Sequence, residues 1–338
     1  MIRHLGWGTV VVLVLLSSFL STVAIAADYP PADHGGADLA LADGDRIWGV
    51  HTNIGGLAVQ TSETLRIRNY DPSVLGTGFV EIHAEDIVVS GTIMARGAGY
   101  TGGGGRAGFK NTGHDGKGRY PKSDGSEFVE EGDSKPEGFT DRDSTLIVFM
   151  GRGGAGGPYV KGAQPFEEAY GGSGGGGSGG GVVKLFASNS IVVSGTICTD
   201  GIFGENGMSG AVGGGGGSSD PEEQGTAGDG VYGCYLVEPI PGSGGYQQIC
   251  GEAPRGTPGS GGYGGGVILY CEDEGGLLIH DATITTKAAD CFSGSNCPFS
   301  GTVKMFYRHT TPEPVHIESQ FIIYTDLDTF KNDLWLIF

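Results

Sequence analysis

Four groups of residues in this chain could do chemistry. The run Asn111-Thr112-Gly113-His114-Asp115-Gly116-Lys117-Gly118-Arg119 gathers an imidazole, a carboxylate and two cations. Sugar-cleaving chemistry needs two or three convergent carboxylates, or a base beside calcium-binding carboxylates. This run supplies one carboxylate, and a polar glycine-rich loop accounts for it equally well, so no catalytic residue is assigned. A second group is acidic: Asp124, Glu127, Glu130, Glu131, Asp133, Glu137, Asp141 and Asp143. Calcium takes about six to eight oxygen ligands, but neither EF-hand spacing nor a glycine-glycine-x-glycine-x-aspartate repeat is present. The expectation is a solvated acidic loop with no cofactor, calcium being the one ion such a loop could hold.

The third group is the six cysteines, Cys198, Cys234, Cys250, Cys271, Cys291 and Cys297. An even number in an exported chain points to disulfides. Loop closure pairs Cys291 with Cys297 and Cys234 with Cys250, which leaves Cys198 with Cys271. No Cys-x-x-Cys pair occurs and the eight histidines are scattered, so no metal is assigned. The fourth group is tyrosine set among glycine and serine, as in adaptable recognition loops. Tyr100, Tyr170, Tyr246 and Tyr263 are the candidate ligand-binding residues, for carbohydrate or a surface protein. Local packing of the same rings on glycine segments is the competing reading.

Whatever positions these groups must be exported. Residues 1–26 read as a signal peptide, with a basic start, an apolar core from Val10 to Leu20 and Ala24-Ile25-Ala26 before the cut. No later run approaches the roughly 20 apolar residues of a spanning helix. A net charge of −19 sets aside nucleic acid and anionic membrane surfaces, both of which need a basic patch. Matches to GxGxxG carry nothing here, because no strand, glycine turn and helix surround them.

A strand pair recurs along the chain. Val80-Glu81-Ile82-His83-Ala84-Glu85-Asp86 runs into Ile87-Val88-Val89-Ser90-Gly91-Thr92-Ile93. Val183 to Asn189, a linking Ser190, and Ile191-Val192-Val193-Ser194-Gly195-Thr196-Ile197 repeat it. A third copy is Val267 to Asp273 followed by Leu278 to Ile284, and a fourth is Val303 to Arg308 followed by Val315-His316-Ile317. Apolar residues alternate with charged or variable ones, a period of two that predicts half-buried strands. Repeated at intervals, such pairs predict successive faces of stacked coils. Cys271 then falls in the column of Ala84 and Ala187, where a small buried residue suffices and no disulfide is needed. Both readings of Cys271 stand at this point.

The sequence thus predicts an all-β fold, a right-handed parallel β-helix (β-solenoid), as a single domain over 27–338. An N-terminal cap and opening coils occupy 27–78, with strand candidates at 39–41, 46–51, 57–60 and 64–68 separated by Asp43-Gly44-Asp45, Gly55-Gly56 and Ser62-Glu63. Core coils occupy 79–310 and a C-terminal coil or cap 311–338. Two glycine-rich insertions, 95–181 and 200–266, interrupt the coils. Their glycine runs either pack backbone to backbone against the coils or act as flexible linkers.

The pattern Ile87 to Gly97 with Gly102 to Gly105, and again Ile191 to Gly201 with Gly213 to Gly217, resembles secreted bacterial glycine-rich, adhesin-like proteins on a parallel β-helix. The resemblance implies an extracellular or cell-surface binding or matrix component and no shared catalytic motif. A polysaccharide lyase or glycoside hydrolase on the same fold, and a purely structural envelope or matrix protein, are the alternatives.

Overall fold

The computed structural model describes residues 26–102, 145–153, 176–203, 261–289, 299–308 and 316–330. It also describes the backbone of three short antiparallel pairs. In chain order, the opening strands are β1 (Asp28–Tyr29), β2 (Ala32–Asp33), β3 (Leu39–Ala40), β4 (Arg46–Ile47), β5 (Gly49–Val59) and β6 (Thr64–Ile67). Then come β7 (Phe79–Val89) and β8 (Thr92–Met94), and the backbone pairs β9 (Arg119–Pro121) with β10 (Phe128–Glu130) and β11 (Val160–Lys161) with β12 (Tyr170–Gly171). β13 (Val182–Val193) and β14 (Thr196–Cys198) precede the third pair, β15 (Gly233–Val237) with β16 (Gln247–Gly251). The last elements are β17 (Gly266–Glu274), β18 (Leu277–Ile279), β19 (Thr283–Thr285), β20 (Thr302–Arg308), β21 (His316–Glu318), β22 (Phe321–Asp326) and a single helical turn, α1 (Leu327–Phe330).

The fold is all-β and its two large sheets are parallel. A seven-stranded sheet runs β1-β4-β6-β8-β14-β19-β21, and a nine-stranded sheet runs β2-β5-β7-β13-β17-β20-β22, with β3 on β5 and β18 on β13. The chain passes back and forth between the sheets, and their inward residues form one core. In-register parallel pairing makes rows of like residues. Ile82, Leu185, Leu269 and Met305 are ladder partners in succession and all are fully buried. Leu65, Ile93, Ile197, Ile284 and Ile317 form the matching row of the seven-stranded sheet. Burying each such side chain is worth about 1.5–3 kcal/mol, so these rows are the principal source of cohesion.

The repeated Ser-Gly is a stacking device. Ser194 Oγ donates to Ser90 Oγ at 3.3 Å, and a Cβ on Gly195 would fall on the carbonyl of Gly91 in the turn below. The third layer solves this corner differently. Leu277, not Leu278, pairs with Ile191, and Ile279 pairs with Val193. The turn is therefore His280-Asp281-Ala282, one residue longer, with Asp281 at φ 53°. The extra residue of the second layer also differs from the sequence expectation. Ser190 is not a linker but the ladder partner of Asp86, bonded to it at 2.6 Å, and the bulge lies at 188–189. Nor do Gly55-Gly56 break the chain. β5 runs through them, and residue 55 is glycine because a side chain there would strike the carbonyl of Gly36 and the carboxylate of Asp38.

The ends of both glycine-rich insertions are packed, not free. Segments 97–102, 151–153, 176–181, 201–203, 261–266 and 299–301 lie against one another by backbone contact. Three successive carbonyls, Ser178, Gly179 and Gly180, accept from the amides of Ile202, Gly99 and Gly151. Three successive amides, Gly179, Gly180 and Gly181, donate to Tyr100, Tyr263 and Ala95. A sheet strand serves two neighbours. Groups that turn by about 120° per residue, as in a polyproline-II-type helix, serve three. Only glycine allows that approach: a Cβ on Gly179 would sit on the carbonyl of Gly151, and one on Gly102 on that of Gly176.

Candidate functional site

The outward positions of the nine-stranded sheet carry rows as regular as those of the core. His83, Phe186, Tyr270 and Phe306 are successive ladder partners. Neighbouring strands are about 4.8 Å apart, so equivalent rings meet. The His83 and Phe186 planes are parallel within 4° at a centroid separation of 4.6 Å. Phe186 meets Tyr270 at 5.5 Å, and Tyr270 meets Phe306 at 5.8 Å.

One end of this aromatic row is covered. Segment 145–150 crosses the sheet, and Val148 packs with Val182, Ile268, Phe306 and Leu327. Lys304, fully buried, clamps it there: its Nζ donates to the carbonyls of Thr145 at 3.0 Å and Ile147 at 2.7 Å. The other end is open. His83, Phe186 and Tyr270 line a groove of about 660 Å³, walled by Leu146 on one side and by Gly35, Gly36 and Asn53 on the other.

Beside the rings, the register that pairs Ala84, Ala187 and Cys271 brings the next residues, Glu85, Ser188 and Glu272, to the same groove. All three are exposed. A neighbouring carboxylate is already engaged. Glu81 accepts from His83 Nε2 at 2.9 Å and from Lys184 Nζ at 3.1 Å. The His83 hydrogen bond, with Lys184 beside it, outweighs partial burial and holds the Glu81 carboxyl at about 2. Burial, then the charge of Glu272, pushes the Tyr270 hydroxyl up, partly opposed by Arg308. Such a surface offers ring faces to the C–H face of a sugar or to a cation, with carboxylates and a hydroxyl for polar contacts.

Of the four tyrosines expected from sequence, the side chains of Tyr100 and Tyr263 are described. Tyr100 is buried, its ring edge-on to Tyr70 at 4.8 Å, so it packs the glycine segments and is not displayed to a ligand. Tyr263 is half-buried, 6.2 Å from Phe299, and its backbone joins the glycine network. The side chain of Tyr170, and the whole of Tyr246, lie outside the described residues, as do the run 111–118, most of the acidic stretch 124–143, Cys291 and Cys297, and residues 1–25 and 331–338. Cys198 and Cys271 are not joined: both are buried free thiols, pushed up by burial. They belong to different sheets, Cys198 beside Met94 and Thr285, and Cys271 beside Ala187. Cys271 is thus the small buried member of its row. Cys234 and Cys250 are described by backbone only, and their strands place them directly opposite one another. Among the described residues, no group of three or more His, Cys, Asp or Glu could hold a metal ion, and no helix is long and apolar enough to cross a membrane.

The groove residues were present in the sequence but carried no local signal. His83 and Phe186 stand at positions that alternation marks only as charged or variable. Their relation appears when the register sets the strands side by side. No family model, curated protein or solved structure matches this chain.

Proposed function

We propose that this chain is an exported, adhesin-like binding protein on a right-handed parallel β-helix, and that it takes carbohydrate in the groove over His83, Phe186 and Tyr270. The aromatic row carries the reading. Rigid rings held at strand spacing along a sheet give repeated apolar contacts at low conformational cost, and the groove runs along the row. The in-register rows of both sheets and the single core between them support stacked coils, and the features of residues 1–26 support export to the outside or the cell surface. This reading places the contact on the sheet and not at Tyr100, which is buried in packing.

A glycan array with the secreted chain tests this. Binding to a defined glycan class, lost in Phe186→Ala/Tyr270→Ala with folding intact, is the expected result. No bound glycan together with self-assembly at high concentration would overturn it in favour of a structural matrix protein. Release of shortened oligosaccharides from a bound glycan would instead favour an enzyme.

A further inference from the structure

The charge around the groove restricts which glycans it can accept. Among its lining residues are two carboxylates, Glu85 and Glu272, and no lysine or arginine. Neither carboxylate makes a hydrogen bond or ion pair among the described residues, whereas Glu81, in the adjoining row, is paired with Lys184 and His83. Arg308, the cation felt by Tyr270, lies 3.9 Å from Asp328 and does not line the groove. The chain as a whole carries −19. A polyanionic glycan, such as a uronate chain, would meet repulsion with no lysine or arginine among the described lining residues to offset it.

Resting on the reading of the groove as a glycan site, we infer that it selects glycans bearing free amines, with the ammonium groups recognised by Glu85 and Glu272 at the rim of the Phe186 and Tyr270 rings. An ammonium gains from a carboxylate and from the negative face of an aromatic ring together. Ser188, between the two carboxylates in the row, adds a hydroxyl that can accept from the amine or bond a sugar hydroxyl. Acetylating the amine removes the charge while keeping the sugar's apolar face, so the two contributions are separable.

The test is calorimetric titration of the secreted chain with three oligosaccharides: glucosamine oligomers, their N-acetylated counterparts and galacturonic acid oligomers. The pH is chosen to keep the amine protonated. Titrations are repeated in Phe186→Ala/Tyr270→Ala and in Glu85→Gln/Glu272→Gln. Glucosamine oligomers should bind about tenfold more tightly than acetylated ones, and uronates should not bind. Added salt should erode the preference, and Glu85→Gln/Glu272→Gln should abolish it. Both glutamates are exposed, so thermal unfolding should be unchanged and serves as the folding control. Equal binding of charged and acetylated oligomers, lost on removing the rings, would overturn the amine inference and leave the glycan site standing. A preference that survives Glu85→Gln/Glu272→Gln, or tighter binding of uronates, would overturn it too. No binding of any of the three removes the glycan reading and the inference with it.

Discussion

His51 of β5 lies directly across the ladder from Ile82 of β7 and is just as fully buried. It thus occupies the first buried position of the row continued by Leu185, Leu269 and Met305, with exposed Ala32 as its partner on the other side. An imidazole can sit there because its polar atoms are satisfied. Its Nε2 lies 3.1 Å from the carbonyl of Trp48 and its Nδ1 3.0 Å from Nε2 of His34. The carbonyl can only accept, so the His51 proton sits on Nε2, its Nδ1 is bare, and His34 donates to it.

That arrangement makes the opening layers sensitive to acid. Burial pushes His51 below its ordinary value of 6.5, helped by His34 and opposed by the backbone of Trp48 and Tyr29. Among the described residues, His34 is the one ionisable group that acts on it. The unfolded chain therefore binds more protons in the interval below 6.5. Stability is fully present above that pH and falls as pH drops through it toward the folded value. His51→Leu, which matches the rest of the row, should flatten this dependence. Denaturant unfolding at several pH values between about 7.5 and 5 would show it, and an unchanged slope in the variant would refute the assignment.

Glu81 acts in a lower window with the same sign, since its folded form also binds fewer protons than the unfolded chain. Its carboxyl, held at about 2, is lowered from 4.5 by His83 and Lys184. Its contribution is complete above 4.5 and is lost as pH falls toward 2. Lys184→Met should raise the Glu81 carboxyl and narrow the window, because one of its two partners is gone. NMR titration of the Glu81 carboxyl reads this directly. An unmoved titration in Lys184→Met would mean that the 3.1 Å ion pair is not populated in solution.

Much of the fold was legible because parallel register turns repetition in sequence into rows in space. The Ala84–Ala187–Cys271 column, and the match of Ile93, Ile197 and Ile284, follow from the strand repeats alone. The corners were not legible to the residue. A bulge at 188–189 and a three-residue turn after Ile279 leave the apolar pattern almost unchanged, so Ser190 and Leu278 were each displaced by one place. The groove was hidden for another reason. It needs segment 145–150 to cross a sheet built from β7, β13, β17 and β20, and nothing local in Leu146 or Lys304 announces that contact.

The glycine segments should be intolerant of a single methyl group. At Gly179 an added Cβ would fall on the carbonyl of Gly151, backbone that cannot move without disturbing its hydrogen bonds with Tyr100 and Gly180. Gly179→Ala should cost about 1–3 kcal/mol or more by overpacking. Gly35→Ala is the comparison: nothing lies within 4 Å, and its φ of 60° carries only the left-handed backbone cost of about 1–2 kcal/mol. Equal losses from the two would mean that the Gly179 contacts do not matter in solution.

Removing the Lys304 clamp should loosen segment 145–150 while sparing the sheets. Lys304→Met keeps the stem that packs in the row of Lys184 and Ile268 but leaves the carbonyls of Thr145 and Ile147 without its ammonium. Loss of a hydrogen bond from a charged donor costs about 1.5–3 kcal/mol. Hydrogen exchange should therefore speed up at 145–150 with little change in β13, β17 and β20. Uniform acceleration across those strands would show that the segment is part of the cooperative unit and not a strap laid on it.

Thiol chemistry separates the cysteines by their place in the fold. Cys198 and Cys271 are buried, and burial pushes both thiols up, so a thiol-directed alkylating reagent should leave them unmodified in the native chain and label them after denaturation. The register of β15 with β16 sets Cys234 opposite Cys250, the arrangement that a cross-strand disulfide in an exported chain would use. Non-reducing peptide mapping should therefore recover a Cys234–Cys250 linked peptide and no Cys198–Cys271 link. Recovery of the latter would require β14 and β17 to leave their sheets, and would overturn the row in which Cys271 stands beside Ala187.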